Sequence, residues 1–254
     1  MRVILLVLIA VVMSSLFASI SVQSKLPFSL PNVLRLLESR YAGASTLRVR
    51  FLERYTENGR FVRSEAGSAS FLRPGKMRWD YEAPEKNTFL VDGKYVWFYS
   101  PADRTATRMP AKQSEDWRTP LAFLTTHMKL SHLCSRIEEE EGQSGVEVGD
   151  AVFRCELKGL SRSEPIVADG RRRPSLQLQQ SEGPGATRGV LLEVSPEGEL
   201  RRIVVQEEAG MELEFSFTGW EWDPPLDKST FQFVVPRGVA IVDGVLSEAP
   251  GLRQ

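Results

Sequence analysis

The chain has 254 residues, 42% hydrophobic and 26% charged, the composition of an ordinary folded protein. A formal net charge of -1 lacks the basic excess that nucleic-acid binding requires, which excludes that class. The length suits one large β domain after removal of a leader, or two small ones.

Residues 1–21 read as a signal peptide. Arg2 is a minimal positive start, Val3 to Met13 is an unbroken apolar run, and Ala18, Ser19 and Ser21 are small residues suited to cleavage. No cysteine follows the run, so it is not a lipoprotein leader. The alternative is an uncleaved anchor, since the run approaches the length of a short membrane span. Residues 22–254 are then a single exported domain.

Ser29 to Gly43 predicts an amphipathic helix. Pro31 fits the first turn, where its missing N–H does no harm, and Gly43 fits the C-terminal cap. Leu34, Leu37 and Tyr41 share one face, with Val33 and Leu36 beside them. Strands follow at Leu47 to Tyr55, where Leu47, Val49 and Phe51 alternate with Arg48 and Arg50, then at Arg60 to Ser64 and Gly67 to Leu72. Met77, Trp79 and Tyr81 alternate with Arg78 and Asp80. Asp92-Gly93-Lys94 reads as a hairpin turn between Thr88 to Val91 and Tyr95 to Tyr99. The Tyr95 to Tyr99 strand is apolar on both sides, with Val96 and Phe98 on one and Tyr95, Trp97 and Tyr99 on the other. Such a strand is buried on both faces or lines an apolar cavity on one.

Ala102 to Met109 predicts another strand. Thr119 is a good N-cap and Pro120 a good first residue for a short apolar helix to Thr126 carrying Leu121, Phe123 and Leu124. A helix this short must rest on an apolar surface, which suits a lid. Strands at Leu130 to Glu138 and Val152 to Leu157 carry the two cysteines, Cys134 and Cys155, which either pair across neighbouring strands or remain buried thiols. Residues 160–188, with Pro165, Arg171 to Arg173 and Gly183-Pro184-Gly185, read as a long irregular loop. Val190 to Val194 and Leu200 to Glu207 form a hairpin. Met211, Leu213, Phe215 and Phe217 alternate with Glu212, Glu214 and Ser216, a half-buried strand. Asp227 to Thr230 suggests a helical turn, and Phe231 to Val235 a closing strand.

Ten to twelve short strands joined by hairpins define a mainly β (α+β) chain with one antiparallel sheet, which must curl at that size. The two histidines, His127 and His132, have no metal-ligand spacing to a cysteine. No nucleophile elbow, phosphate loop or zinc-protease motif is present. Asp80 and Glu82 share a strand face and read as solvated. The chain is therefore expected to be no enzyme and to need no cofactor and no metal.

Arg73-Pro74, Trp79, Pro84, Asp92-Gly93, Trp97-Phe98-Tyr99, Thr119-Pro120 and the closing stretch from Phe231 to Asp243 occur in the order and spacing of the LolA family of periplasmic lipoprotein carriers. The chain resembles that family over about residues 31–243. The loop at 160–188 is longer than the family pattern. The resemblance implies a half-open, strongly curled antiparallel β-barrel with helices forming a lid over an apolar cavity. It implies a periplasmic monomer that takes lipoprotein acyl chains from an inner-membrane lipoprotein-releasing ABC transporter complex to an outer-membrane acceptor. The acyl-chain cavity would then be lined by Leu34, Leu37, Val49, Phe51, Trp79, Tyr81, Trp97, Tyr99, Leu121, Phe123, Phe215 and Phe217; residue pattern alone favours an ordinary core. Arg73 would latch the lid through backbone carbonyls near Leu124 and Thr125; the alternative is a surface ion pair with Asp80 or Glu82. Met77, just after Arg-Pro, would sit on the partner-binding rim. The rival reading is a half-barrel that binds another lipid, or senses lipoproteins, without shuttling.

Overall fold

The computed structural model describes residues 29–111, 124–125, 129–140, 145–157, 187–207 and 210–244. The signal-peptide expectation, Leu121 and Phe123 of the expected lid helix, His127 and nearly all of the 160–188 loop lie outside the described residues.

Alternation of apolar and polar side chains becomes β-structure, because successive residues of a strand point to opposite faces. In β1 (Thr46–Glu57) every second residue from Leu47 to Tyr55 is buried. Asn58 and Gly59 take positive φ, 49° and 75°, as a two-residue hairpin with matching twist demands, and return the chain into β2 (Arg60–Leu72). The two segments expected there form one strand. β3 (Lys76–Ala83), β4 (Thr88–Val91), β5 (Tyr95–Ser100) and β6 (Thr105–Pro110) continue the meander. At the β4–β5 turn Asp92 Oδ1 accepts from the N–H groups of Lys94 and Tyr95, both at 2.7 Å. A second meander comprises β7 (Cys134–Glu139), β8 (Ala151–Leu157), β9 (Thr187–Val194), β10 (Leu200–Glu207) and β11 (Met211–Trp222).

The long strands β1 and β11 pair antiparallel and join both meanders into one sheet of 12 strands, ordered β12-β6-β5-β4-β3-β2-β1-β11-β10-β9-β8-β7. β7 and β12 (Ala240–Asp243) are its two edges, so the curled sheet does not close. All neighbours are antiparallel except β12, which runs parallel to β6. The helix α1 (Leu30–Ala42) covers one face, here the inner face, with Val33, Leu37 and Tyr41, spaced four residues apart and buried.

Three local expectations give way to tertiary pairing. Leu130 to Leu133 is a single helical turn, α2 (Leu130–Leu133), and the strand begins at Cys134. Phe231 ends a 3-10 turn (Lys228–Phe231) capped by Asp227, whose side chain accepts from Ser229 N–H; residues 232–235 form no strand, and the closing strand is β12. Gly43 takes the C-cap position as expected, but in right-handed geometry, with φ −82°. The end of α1 is capped in a different way, by a side chain distant in sequence.

Candidate functional site

The inner face is built from facing positions of neighbouring strands. Val49 and Phe51 of β1 pair with Ala69 and Gly67 of β2, which in turn pair with Trp79 and Tyr81 of β3. Phe51 also pairs with Phe217 of β11. The small residues at 67 and 69 let the flanking rings meet over β2. Phe51 lies edge-on to Trp79 at 4.8 Å and to Tyr81 at 5.2 Å, and Trp79 meets Phe215 at 5.3 Å. Trp79, Phe215 and Phe217 are fully buried, as is Leu37 of α1, and Leu34 packs partly buried against the same cluster. The structure thus brings together Leu34, Leu37, Val49, Phe51, Trp79, Tyr81, Phe215 and Phe217.

Trp97 and Tyr99 are corrected. Trp79 pairs with Phe89, and Phe89 with Phe98, so Phe98 continues the inner column and Trp97 points to the outer face. There Trp97 joins Leu90 and Phe231 in a separate cluster and stacks on Phe233 at 4.8 Å, while Tyr99 meets Phe233 at 5.6 Å. The cause is the returning segment from Leu226 to Phe233, which covers this part of the outer face. Met77 is corrected as well. It is buried at 4% exposure within the inner cluster, because it is the first inward position of β3, and it offers no rim to a partner.

Arg73 stands at the end of β2, beside the C-terminal end of α1. Its Nη1 donates to the carbonyl oxygens of Tyr41, in a short contact, and of Ala44, at 3.0 Å. The Tyr41 carbonyl is one that a helix end leaves unsatisfied, where the helix dipole is negative, and Ala44 lies just past that end. Nε donates to Leu124 O at 3.3 Å, and the neighbouring Gly75 N–H donates to Thr125 O at 3.1 Å. One guanidinium therefore spans α1, β2 and the buried turn at 124–125. Burial lowers its pKa from the ordinary value and the Asp223 charge offsets part of this. An ion pair with Asp80 or Glu82 is not formed. Asp80 takes two bonds from Arg78, at 2.7 and 2.9 Å, and Glu82 lies 3.3 Å from Arg50.

Sequence reasoning missed the polar members of this face. Glu53 occupies an inward position of β1 at 1% exposure and accepts from the Tyr81 hydroxyl at 2.8 Å. The signal was present: a carboxylate interrupts the inward series Leu47, Val49, Phe51, Tyr55. Tyr41 pins α1 to the sheet, its hydroxyl accepting from Leu200 N–H at 3.1 Å, and burial pushes its pKa up. Glu38 of α1 accepts from Leu130 N–H at 2.9 Å. Cys134 and Cys155 are joined in a disulfide with Cα atoms 5.4 Å apart, tying β7 to β8 at the far wing of the inner face.

A curled, open antiparallel sheet with an aromatic inner face, roofed by an N-terminal helix, defines the class of β half-barrels. Residues 42–148 match the family described as "Outer membrane lipoprotein carrier protein LolA". It is 26% identical over 207 residues to the outer-membrane lipoprotein carrier protein of Xanthomonas campestris pv. campestris (strain B100), covering 81% of this chain and 86% of that one. It is 28% identical over 179 residues to the protein of the same description from Aliivibrio salmonicida (strain LFI1238), covering 70% and 72%. Solved structures similar to it include a LolA superfamily protein from Nitrosomonas europaea, with TM-score 0.40 and 11% identity, covering 81% of this chain and 98% of that one. Among the described residues no helix is long and apolar enough to cross a membrane.

Proposed function

We propose that this protein is a carrier of lipoproteins. In this reading it holds their acyl chains against the inner face and shuttles them through the periplasm, as a monomer, from an inner-membrane ABC transporter complex to an outer-membrane acceptor. Residues 1–21 would be a cleaved signal peptide and 22–254 one carrier domain. Each buried methylene is worth about 0.8 kcal/mol, so acyl chains do not cross water unshielded. The inner residues Leu34, Leu37, Val49, Phe51, Trp79, Tyr81, Phe215 and Phe217, with Leu121 and Phe123 from the lid segment, would take their place in that shield. The carrier names of the relatives support the reading.

The observation that carries it is the Arg73 bridge. An arginine that ties the roof helix to the turn at Leu124 and Thr125 by three carbonyl bonds is placed to latch a cover over an apolar face. Hydrogen bonds to a charged donor are worth about 1.5–3 kcal/mol each, small beside several buried methylenes, so cargo can displace them. Arg73→Leu removes the latch and adds apolar surface. The variant should load cargo and hand it to an acceptor at least about tenfold more slowly. Handover at the wild-type rate would remove the latch from the mechanism. Mass spectrometry of copurified material tests the cargo: lipid-modified protein fragments support the carrier, and free phospholipid alone would overturn it.

A further inference from the structure

Four tryptophans are described, and their indole N–H groups fare differently. Trp97 Nε1 donates to Asp92 at 3.0 Å and Trp220 Nε1 to Leu200 O at 2.8 Å. Trp222, which is partly buried, lies under Arg40, and its N–H finds no acceptor among the described residues. Trp79 is 0% exposed and its Nε1 likewise has no hydrogen-bond partner among the described residues. Its ring neighbours are Phe51, Phe71, Phe215 and Phe217, none of which offers an acceptor. The next inward side chain along β3, Tyr81, spends its hydroxyl on Glu53. A fully buried donor without a partner is rare in folded proteins and demands an explanation. Bulk alone does not supply one, since phenylalanine fills such positions on every side without a polar atom.

The geometry points to Trp79 as a specificity residue: its indole N–H donates a hydrogen bond to the carbonyl oxygen of an ester- or amide-linked acyl chain. This rests on the reading that acyl chains occupy the inner face. An alkyl tail brings only methylenes to that face, and any apolar surface accepts it. The carbonyl at the head of an acyl chain must also leave water, and it loses its hydrogen bonds unless a donor meets it inside. Trp79 supplies that donor at the centre of the aromatic face, so the face distinguishes acyl chains from plain alkyl chains.

The test uses the full-length protein and two probes. Phosphatidylcholine vesicles are doped with dihexadecanoylglycerol, which has ester carbonyls, or with its dihexadecyl ether counterpart, which has none, and lipid transferred to the protein is counted. Wild type should prefer the ester about tenfold, the span of one hydrogen bond. Trp79→Phe should bring the ester-to-ether ratio close to unity, read within the variant so that any common change in uptake of the two lipids cancels. Equal uptake of ester and ether by wild type overturns the proposal and leaves the carrier reading standing. Uptake of neither lipid by wild type overturns both. If Trp79→Phe fails to fold, wild type labelled with 15N at its indoles decides the matter. The Trp79 indole signal, identified by its Overhauser contacts to Phe51 and Phe215, should move downfield with the ester and stay in place with the ether. An unmoved signal at saturating ester overturns the proposal.

Discussion

Trp79 and Trp97 belong to strands separated by β4 alone, and they end on opposite faces of the same sheet. Trp97 sits in a small cluster with Leu90 and Phe231, its N–H satisfied by Asp92 and its ring stacked on Phe233. Arg108 stands 5.5 Å over the same ring and pairs with Asp243 of the edge strand β12. These contacts fasten the C-terminal segment to the sheet. Trp79 sits in the large inner cluster, surrounded by rings, and its indole N–H has no acceptor among the described residues. Two residues of the same type thus separate into a fastening on the outer face and a fully buried member of the inner ring cluster. The difference lies in what covers them. The outer cluster is covered by chain that follows β11, the inner one by α1 and by the segment Arg73 holds.

The sharpest way to break this comparison is to truncate each ring. Trp79→Ala should destabilise the protein by about 4 kcal/mol, because a fully buried indole in a ring cluster leaves a cavity that cannot collapse. Denaturant unfolding measures this. Trp97→Ala should remove about 2–3 kcal/mol, since its cluster is smaller and its ring 7% exposed. It should also free the 226–243 segment, seen as faster amide exchange there with the inner face unchanged. Equal losses from both substitutions would refute the distinction between the clusters.

Reduction of the Cys134–Cys155 bond sharpens the picture at the far wing. It closes a loop with sequence separation 21, for which chain entropy gives about 3 kcal/mol. The loss should appear as a lower Tm in reducing buffer, abolished in Cys134→Ala/Cys155→Ala, with Trp97 fluorescence unaffected before unfolding.

Asp150 gives the smallest effect and a control, since it lies outside both tryptophan clusters. Its side chain is 4% exposed. Burial, then the Glu193 charge, push its pKa up to about 6, while Arg201 pulls the other way. The folded pKa lies above the unfolded one, so the folded state holds the proton more tightly. The stability this confers is present below about pH 4 and lost as pH rises through about 6. Asp150→Asn should therefore be more stable than wild type above about pH 7, by on the order of 1 kcal/mol, and the gap should close in acid. A gap independent of pH would assign the effect to packing instead.

Much of the fold was legible in the chain. Strand periods in β1, β3 and β11, the Asp92-Gly93 turn and the amphipathic α1 are local properties: side-chain alternation and turn stereochemistry act over a few residues. The inner positions Phe51, Trp79, Tyr81, Phe215 and Phe217 followed from the same alternation. Which face of a two-sided apolar strand would be the inner one did not follow. Val96 and Phe98 compete with Trp97 and Tyr99 on equal terms until registers with β3 and β4, and the return of residues 226–233, decide. The burial of Met77, the union of Arg73 with Tyr41, Ala44 and Leu124, and the choice of β12 over residues 232–235 as an edge are equally tertiary. Arg73 reaches Ala44 across 29 residues of chain, and Arg108 meets Asp243 of β12 across 135. A sequence pattern carries side-chain period without carrying the distant surface that meets it.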